Sequence, residues 1–221
     1  MDKVTRRAFV ATVGAVTVVP ATALLSPTTH VAARLNSPRV AEPPKPTYLF
    51  FTAEEAIFVE AACERLIPAD ESGPGALGAG APNYLDRQLA GAWGAGERLY
   101  RSGPWQAGTP SQGYQLPITP AEVFHICLRA ISRDLEAHGT AFQNLSGDAQ
   151  DAYLKSLESG AHDLDGVPSA IFFDMLLKMS VEGFFSDPVY GVNRDMVAWR
   201  MTGFPGAYAG YKGQHLASPA P

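Results

Sequence analysis

The chain has 221 residues, of which 46% are hydrophobic and 18% charged, and its formal net charge is −5. That length holds one sizeable domain or two small ones. The apolar content argues against overall disorder, and the acidic balance argues against a nucleic-acid partner. With two cysteines, Cys63 and Cys127, and no zinc-type Cys/His spacing, the chain lacks a metal-finger signature.

The first 33 residues decide the compartment. Thr5-Arg6-Arg7-Ala8-Phe9 resembles the twin-arginine signature, with Arg6, Arg7 and Phe9 as its defining residues. An uncharged run from Ala8 to Leu25 follows, and Ala21-Thr22-Ala23 and Val31-Ala32-Ala33 offer small residues for a signal peptidase. The competing reading is a membrane anchor. The run is near the minimum length for a span, and Pro20 interrupts it. Residues 1–33 are therefore read as a twin-arginine export signal, which places the mature chain in the periplasm.

Residues 34–49 read as a linker, with Pro38, Pro43, Pro44 and Pro46 and little apolar periodicity. Thr52-Ala-Glu-Glu55 is a capping box that starts a helix, with Phe58, Ala62 and Leu66 one turn apart and Pro68 beyond its end. A Gly/Pro-rich acidic loop follows, then a short helix from Pro82 to Gly91. From Ala92 to Pro120 the chain is rich in Gly and Pro and carries Trp93, Tyr100, Trp105 and Tyr114. A structureless loop of that length is unusual inside a domain, so it must pack on its own rings or on a partner.

Thr119-Pro-Ala-Glu122 is a second capping box with Pro at the first helical position. Val123, Cys127, Ala130 and Ile131 form one stripe of this helix, which Gly139 ends. An amphipathic helix is expected between Ser146 and Gly160. The more apolar Ser169–Phe185 stretch, with Phe172, Leu176 and Met179 on one face, reads as the buried central helix. Asn193 is expected to cap a last helix through Met201. No alternating strand stands out. The fold class is all-α, a single domain of about six helices with long ordered Gly/Pro/aromatic loops.

Catalytic chemistry is hard to assemble. His125 and Cys127 lie two apart on a helix and point to different faces. Cys127 on an apolar stripe reads as core; a disulfide between Cys63 and Cys127, or from either to another chain, stays open in an oxidising compartment. His162, Asp163 and Asp165 lack the further acid of a calcium loop. There is no Walker loop and no CxxC or CxxCH pair. A folded-protein export signal thus precedes a domain with no evident cofactor, which suggests that the signal serves a partner. Trp93, Trp105, Tyr114, Tyr190, Arg194 and Trp199 sit among Gly and Pro, and aromatic and Arg side chains on rigid turns suit a partner interface.

Three blocks carry a resemblance: the stretch from Phe50 to Gly91, Leu99 to Glu122, and Glu182 to Gly206. They resemble the gluconate 2-dehydrogenase subunit 3 family over residues 50–208, with 209–221 left as a C-terminal tail. The resemblance implies the small subunit of a periplasmic, inner-membrane-associated sugar-acid dehydrogenase. It implies a large partner of the glucose–methanol–choline type holding FAD, with or without an iron–sulfur cluster, and a multihaem cytochrome c subunit with haem c. It implies that this chain binds no cofactor, helps the flavoprotein mature, and carries it through the twin-arginine translocase. The alternatives are a stand-alone periplasmic enzyme or an interaction protein with an unrelated partner.

Overall fold

The computed structural model describes residues 47–97, 99–100, 102–106, 108–109 and 112–204. Arg6, Arg7 and Phe9 lie outside the described residues. Among those described, seven α-helices follow in order: α1 (Ala53–Leu66), α2 (Ala76–Ala79), α3 (Ala81–Ala90), α4 (Pro120–Ala137), α5 (Gly147–Glu158), α6 (Ser169–Phe185) and α7 (Val197–Thr202). The domain is all-α, as its periodicity indicates. The four-residue α2 is the helix added inside the acidic Gly/Pro loop.

Both capping boxes form. The Thr52 amide donates to Glu55 Oε2 at 2.9 Å while the Glu55 amide donates to Thr52 Oγ1 at 3.3 Å. The second box repeats this with Thr119 and Glu122 at 2.7 and 3.3 Å. Each satisfies two of the orphan amides at a helix start. Ser146 caps α5 through the Ala149 amide.

The central position falls to α6, which packs on α1, α3, α4 and α5. Its Phe172, Leu176 and Met179 are buried, and Phe172 meets Phe124 of α4 at 5.2 Å between ring centres. Burying one such ring contributes about 1.5–3 kcal/mol. Gly183 sets how closely α3 and α6 approach, because a Cβ there would lie 2.8 Å from Tyr84 Cβ.

Two expectations need correction. A two-residue hairpin joins α5 to α6: β1 (Asp163–Leu164) pairs antiparallel with β2 (Val167–Pro168). Asp165 and Gly166 form its tight turn with φ of 55° and 88°, the left-handed pair that short hairpins require. The acids of this loop thus serve a turn: the Gly166 amide donates to Asp163 Oδ1, and Arg133 donates to the Asp165 carboxylate. The second correction concerns Asn193, which does not cap one continuous helix. A 3-10 turn (Arg194–Met196) precedes α7, and Asn193 itself is left-handed with φ of 47°. Its Oδ1 reaches past that turn to the Ala198 amide at 3.0 Å.

The chain enters the domain through a strap, residues 48–51, in which three successive backbone amides are held by one side chain. Asp86 on α3 is only 2% exposed, and its oxygens accept from the amides of Leu49, Phe50 and Phe51 at 2.8–3.1 Å. Three charge-assisted bonds satisfy a carboxylate that burial would otherwise penalise heavily.

Candidate functional site

The most conspicuous surface is built from the C-terminal stretch lying across α3 and α6. Asn193 organises it. This residue is fully buried, and besides its bond to Ala198 its Nδ2 donates to the Ser186 carbonyl at 2.9 Å. One side chain therefore ties the end of α6 to the start of α7. Asp187 accepts from the Val189 amide at 2.9 Å and shapes a second 3-10 turn (Pro188–Tyr190). From α3, Arg87 donates to the Tyr190 carbonyl, and Arg194 reaches back to Asn83 Oδ1 at 3.1 Å. Trp199 donates from Nε1 to the Phe185 carbonyl at 3.0 Å and meets Phe204 edge-on at 5.0 Å.

These bonds consume polar atoms and leave apolar side chains facing water. Val189 is 78% exposed and Tyr190 65%; Phe185, Met196 and Phe204 are exposed too. Val181 joins them one turn before Phe185 on the same face of α6. The Arg194–Met196 turn packs on α2, which contributes exposed Leu77. Exposed apolar side chains gathered in one region mark contact surfaces more reliably than scattered ones do.

The backbone beneath is strained. Asn193, Asp195 and Met196 have φ of 47°, 56° and 56°. A left-handed conformation costs an L-residue roughly 1–2 kcal/mol. Strain of this kind persists where surrounding bonds over-determine it, and it concentrates at functional segments.

The other predicted aromatics form a separate group. Trp93 lies on the turn after α3, at the limit of exposure, while Tyr100 is 81% exposed. Trp105 and Tyr114 are half-buried. With Leu99, Tyr100 and Ile118 they line a hollow of about 210 Å³, and Tyr114 Oη donates to the Ile118 carbonyl at 3.1 Å. Tyr190, Arg194 and Trp199 are thus brought together, and Trp105 with Tyr114, as two distinct groups.

Cys63 and Cys127 are both buried, each with a free thiol in this structure. The Cys63 Sγ lies 3.3 Å from Ser180 Oγ. Burial pushes both thiols up to about 12, which keeps them protonated and unsuited to nucleophilic attack at neutral pH. His125 stacks on Phe50 at 4.1 Å and pairs with Glu55 at 2.9 Å, well apart in role from Cys127. Among the described residues, no three His, Cys, Asp or Glu side chains converge as metal ligands.

One motif escaped the sequence reading. Gly73, Gly75 and Gly78 carry the GxGxxG spacing of a dinucleotide fingerprint. Its context here is wrong. The glycines follow helix α1 rather than a strand, and they lead into a four-residue helix. Glu64 occupies the place a pyrophosphate would need, accepting from the amides of Ala69 and Leu77 at 3.1 and 2.9 Å. A Cβ on Gly75 would collide with that carboxylate. An acid there repels phosphate, so these residues do not fit a dinucleotide.

A concavity of about 790 Å³ lies elsewhere, between the start of α1, the second half of α4 and the 140–143 turn. No sequence motif announced it. Among the described residues no helix is long and apolar enough to cross a membrane.

Compared with known families, the chain matches the model described as Gluconate 2-dehydrogenase subunit 3 over residues 53–206. Neither a curated protein nor a solved structure matches it.

Proposed function

The chain belongs to the gluconate 2-dehydrogenase subunit 3 family, and from that premise we propose that it is the non-catalytic small subunit of a periplasmic, FAD-dependent sugar-acid dehydrogenase. In this reading it binds the large flavoprotein, supports its maturation and carries it through the twin-arginine translocase. FAD belongs to that large subunit and haem c to a cytochrome subunit. The complex sits at the inner membrane.

The observation that carries the reading is the C-terminal face. Arg87, Asn193 and Trp199 spend their donors on backbone carbonyls of the chain, while Val189, Tyr190, Met196 and Phe204 face outward on a pinned backbone. Such preorganised apolar and aromatic anchors suit a stable protein contact, since little ordering entropy is lost on binding. The Arg6-Arg7 pair supports the export half of the proposal.

The test replaces Arg6 and Arg7 with Lys together and follows the large flavoprotein by cell fractionation. Both proteins are expected to stay in the cytoplasm. Flavoprotein reaching the periplasm while this chain does not would overturn the escort role.

A further inference from the structure

The 790 Å³ groove between α1 and α4 plays no part in the C-terminal face. Its floor is apolar, made by Phe58 of α1, Leu128, Ile131 and Leu135 of α4, and Phe142 of the following turn. Its walls are charged, and most of those charges are already committed. Arg133 is held by Asp165 at 2.6 Å, and Glu136 accepts from Ser132 Oγ at 2.9 Å. Glu55 is engaged by the Thr52 amide and by His125.

Two groups differ. Among the described residues, the exposed Glu54 on the α1 wall makes no hydrogen bond or ion pair with its carboxylate. Among the described residues, Arg129 on the α4 wall bonds only through its Nε, to the His125 carbonyl at 3.1 Å. One open anion and one open cation thus flank an apolar floor from opposite sides. From Leu128 to Glu136 the α4 wall runs about 12 Å at 1.5 Å per residue, a little over two helical turns. Exposed Ile57 adds an apolar lip.

We propose that this groove docks an amphipathic helix of a partner protein. The occupant carries an apolar stripe about two turns long, a basic residue on the edge facing Glu54 and an acidic residue on the edge facing Arg129. Charge complementarity fixes both the class of occupant and its direction in the groove. A helix suits the site because the apolar floor is lined by residues of two helices, α1 and α4, the arrangement that accepts i, i+3, i+4, i+7 anchors. The inference stands apart from the escort reading, because it rests on none of the C-terminal residues.

The test uses the full chain in cells that make its natural neighbours. A photo-crosslinking amino acid is placed at exposed Gln143 on the groove rim, and the cross-linked peptide is sequenced by mass spectrometry. The peptide is expected to show the apolar stripe with the two charges on the stated edges. The double reversal Glu54→Lys with Arg129→Glu should lower cross-linking about tenfold, the scale of a lost charge pair at an interface. Swapping the two charges in the partner should restore it. A peptide without the stripe, no cross-link at all, or cross-linking indifferent to the reversal would each overturn the proposal. Should the double variant melt early, Ile57→Asp, a single exposed site, replaces it with the same expected loss. The same probe at Tyr190 reports on the C-terminal face separately, so one site can fail while the other stands.

Discussion

Residues 92–118 and 186–204 share a composition of Gly, Pro and aromatic rings, and the fold uses them in opposite ways. In the later segment the polar atoms turn inward: Asn193 and Trp199 bond to backbone carbonyls, Arg87 of α3 holds the Tyr190 carbonyl, and Val189 and Tyr190 are left in water. In the earlier segment two of the rings turn inward instead. Trp105 and Tyr114 are half-buried around their own hollow, although Tyr100 stays exposed. Composition marks both as ordered loops. Which way their rings face depends on the side-chain bonds to neighbouring helices, and those are tertiary.

The sharpest way to break this contrast is at Asn193. Asn193→Leu removes the partners of the Ser186 carbonyl and the Ala198 amide, in a fully buried place. Each unsatisfied group costs about 1–3 kcal/mol, and a left-handed Leu adds roughly 1–2 more. The expected loss of stability is about 3–8 kcal/mol by urea unfolding, among the larger effects of one substitution. Asn193→Gly relieves the φ of 47° but not the lost bonds, so it should fall between the two. A loss below about 1 kcal/mol for Asn193→Leu would mean that the turn is not pinned by this side chain.

Legibility in the sequence follows the same division between local and distant. The starts of α1 and α4 are written within four residues of each cap, so Thr52 and Thr119 were readable. The buried face of α6 was readable too, because Phe172, Leu176 and Met179 recur with the helical period. Asp86 was not: nothing near it says that its oxygens will collect amides 35–37 residues away. Asn193 was misread for a related reason. Asn before a charged first turn is a good local cap signal, yet its side-chain Oδ1 serves the Ala198 amide five residues on. The groove was invisible because Glu54 and Arg129 come to line one hollow only once α1 and α4 are packed.

The earlier segment should be fastened at its base. Gly94 donates to the Gln88 carbonyl at 3.0 Å and accepts from the Ala121 amide at 3.1 Å, so it links the end of α3 to the start of α4. A Cβ at this position would overlap the Leu89 carbonyl oxygen, which is backbone and cannot rotate away. Gly94→Ala is expected to cost about 1–3 kcal/mol, the range for overpacking. At this size each kcal/mol lowers the melting temperature by about 2–4 °C. An unchanged melting curve would show that the base of the segment is loose, and the contrast with the pinned C-terminal face would sharpen.

The smallest free-energy change separates the two segments by what each ring does. Tyr190 exposes 65% of its surface and has its backbone, not its ring, tied to Arg87. Tyr190→Ala should leave stability within about 0.5 kcal/mol, as an exposed site does. It should weaken binding to the large flavoprotein at least tenfold, which is about 1.4 kcal/mol. Trp105 is half-buried beside Tyr114 in the hollow of its own loop. Trp105→Ala should therefore lower stability by about 1 kcal/mol and change affinity of the folded chain by less than about threefold. Unfolding and binding are measured on the same two preparations, so lost folding cannot pass for lost contact. If Trp105→Ala instead weakens binding tenfold with melting unchanged, the earlier loop is the docking surface. The contrast drawn between the segments would then be reversed, because a ring half-covered by its own loop would carry the contact.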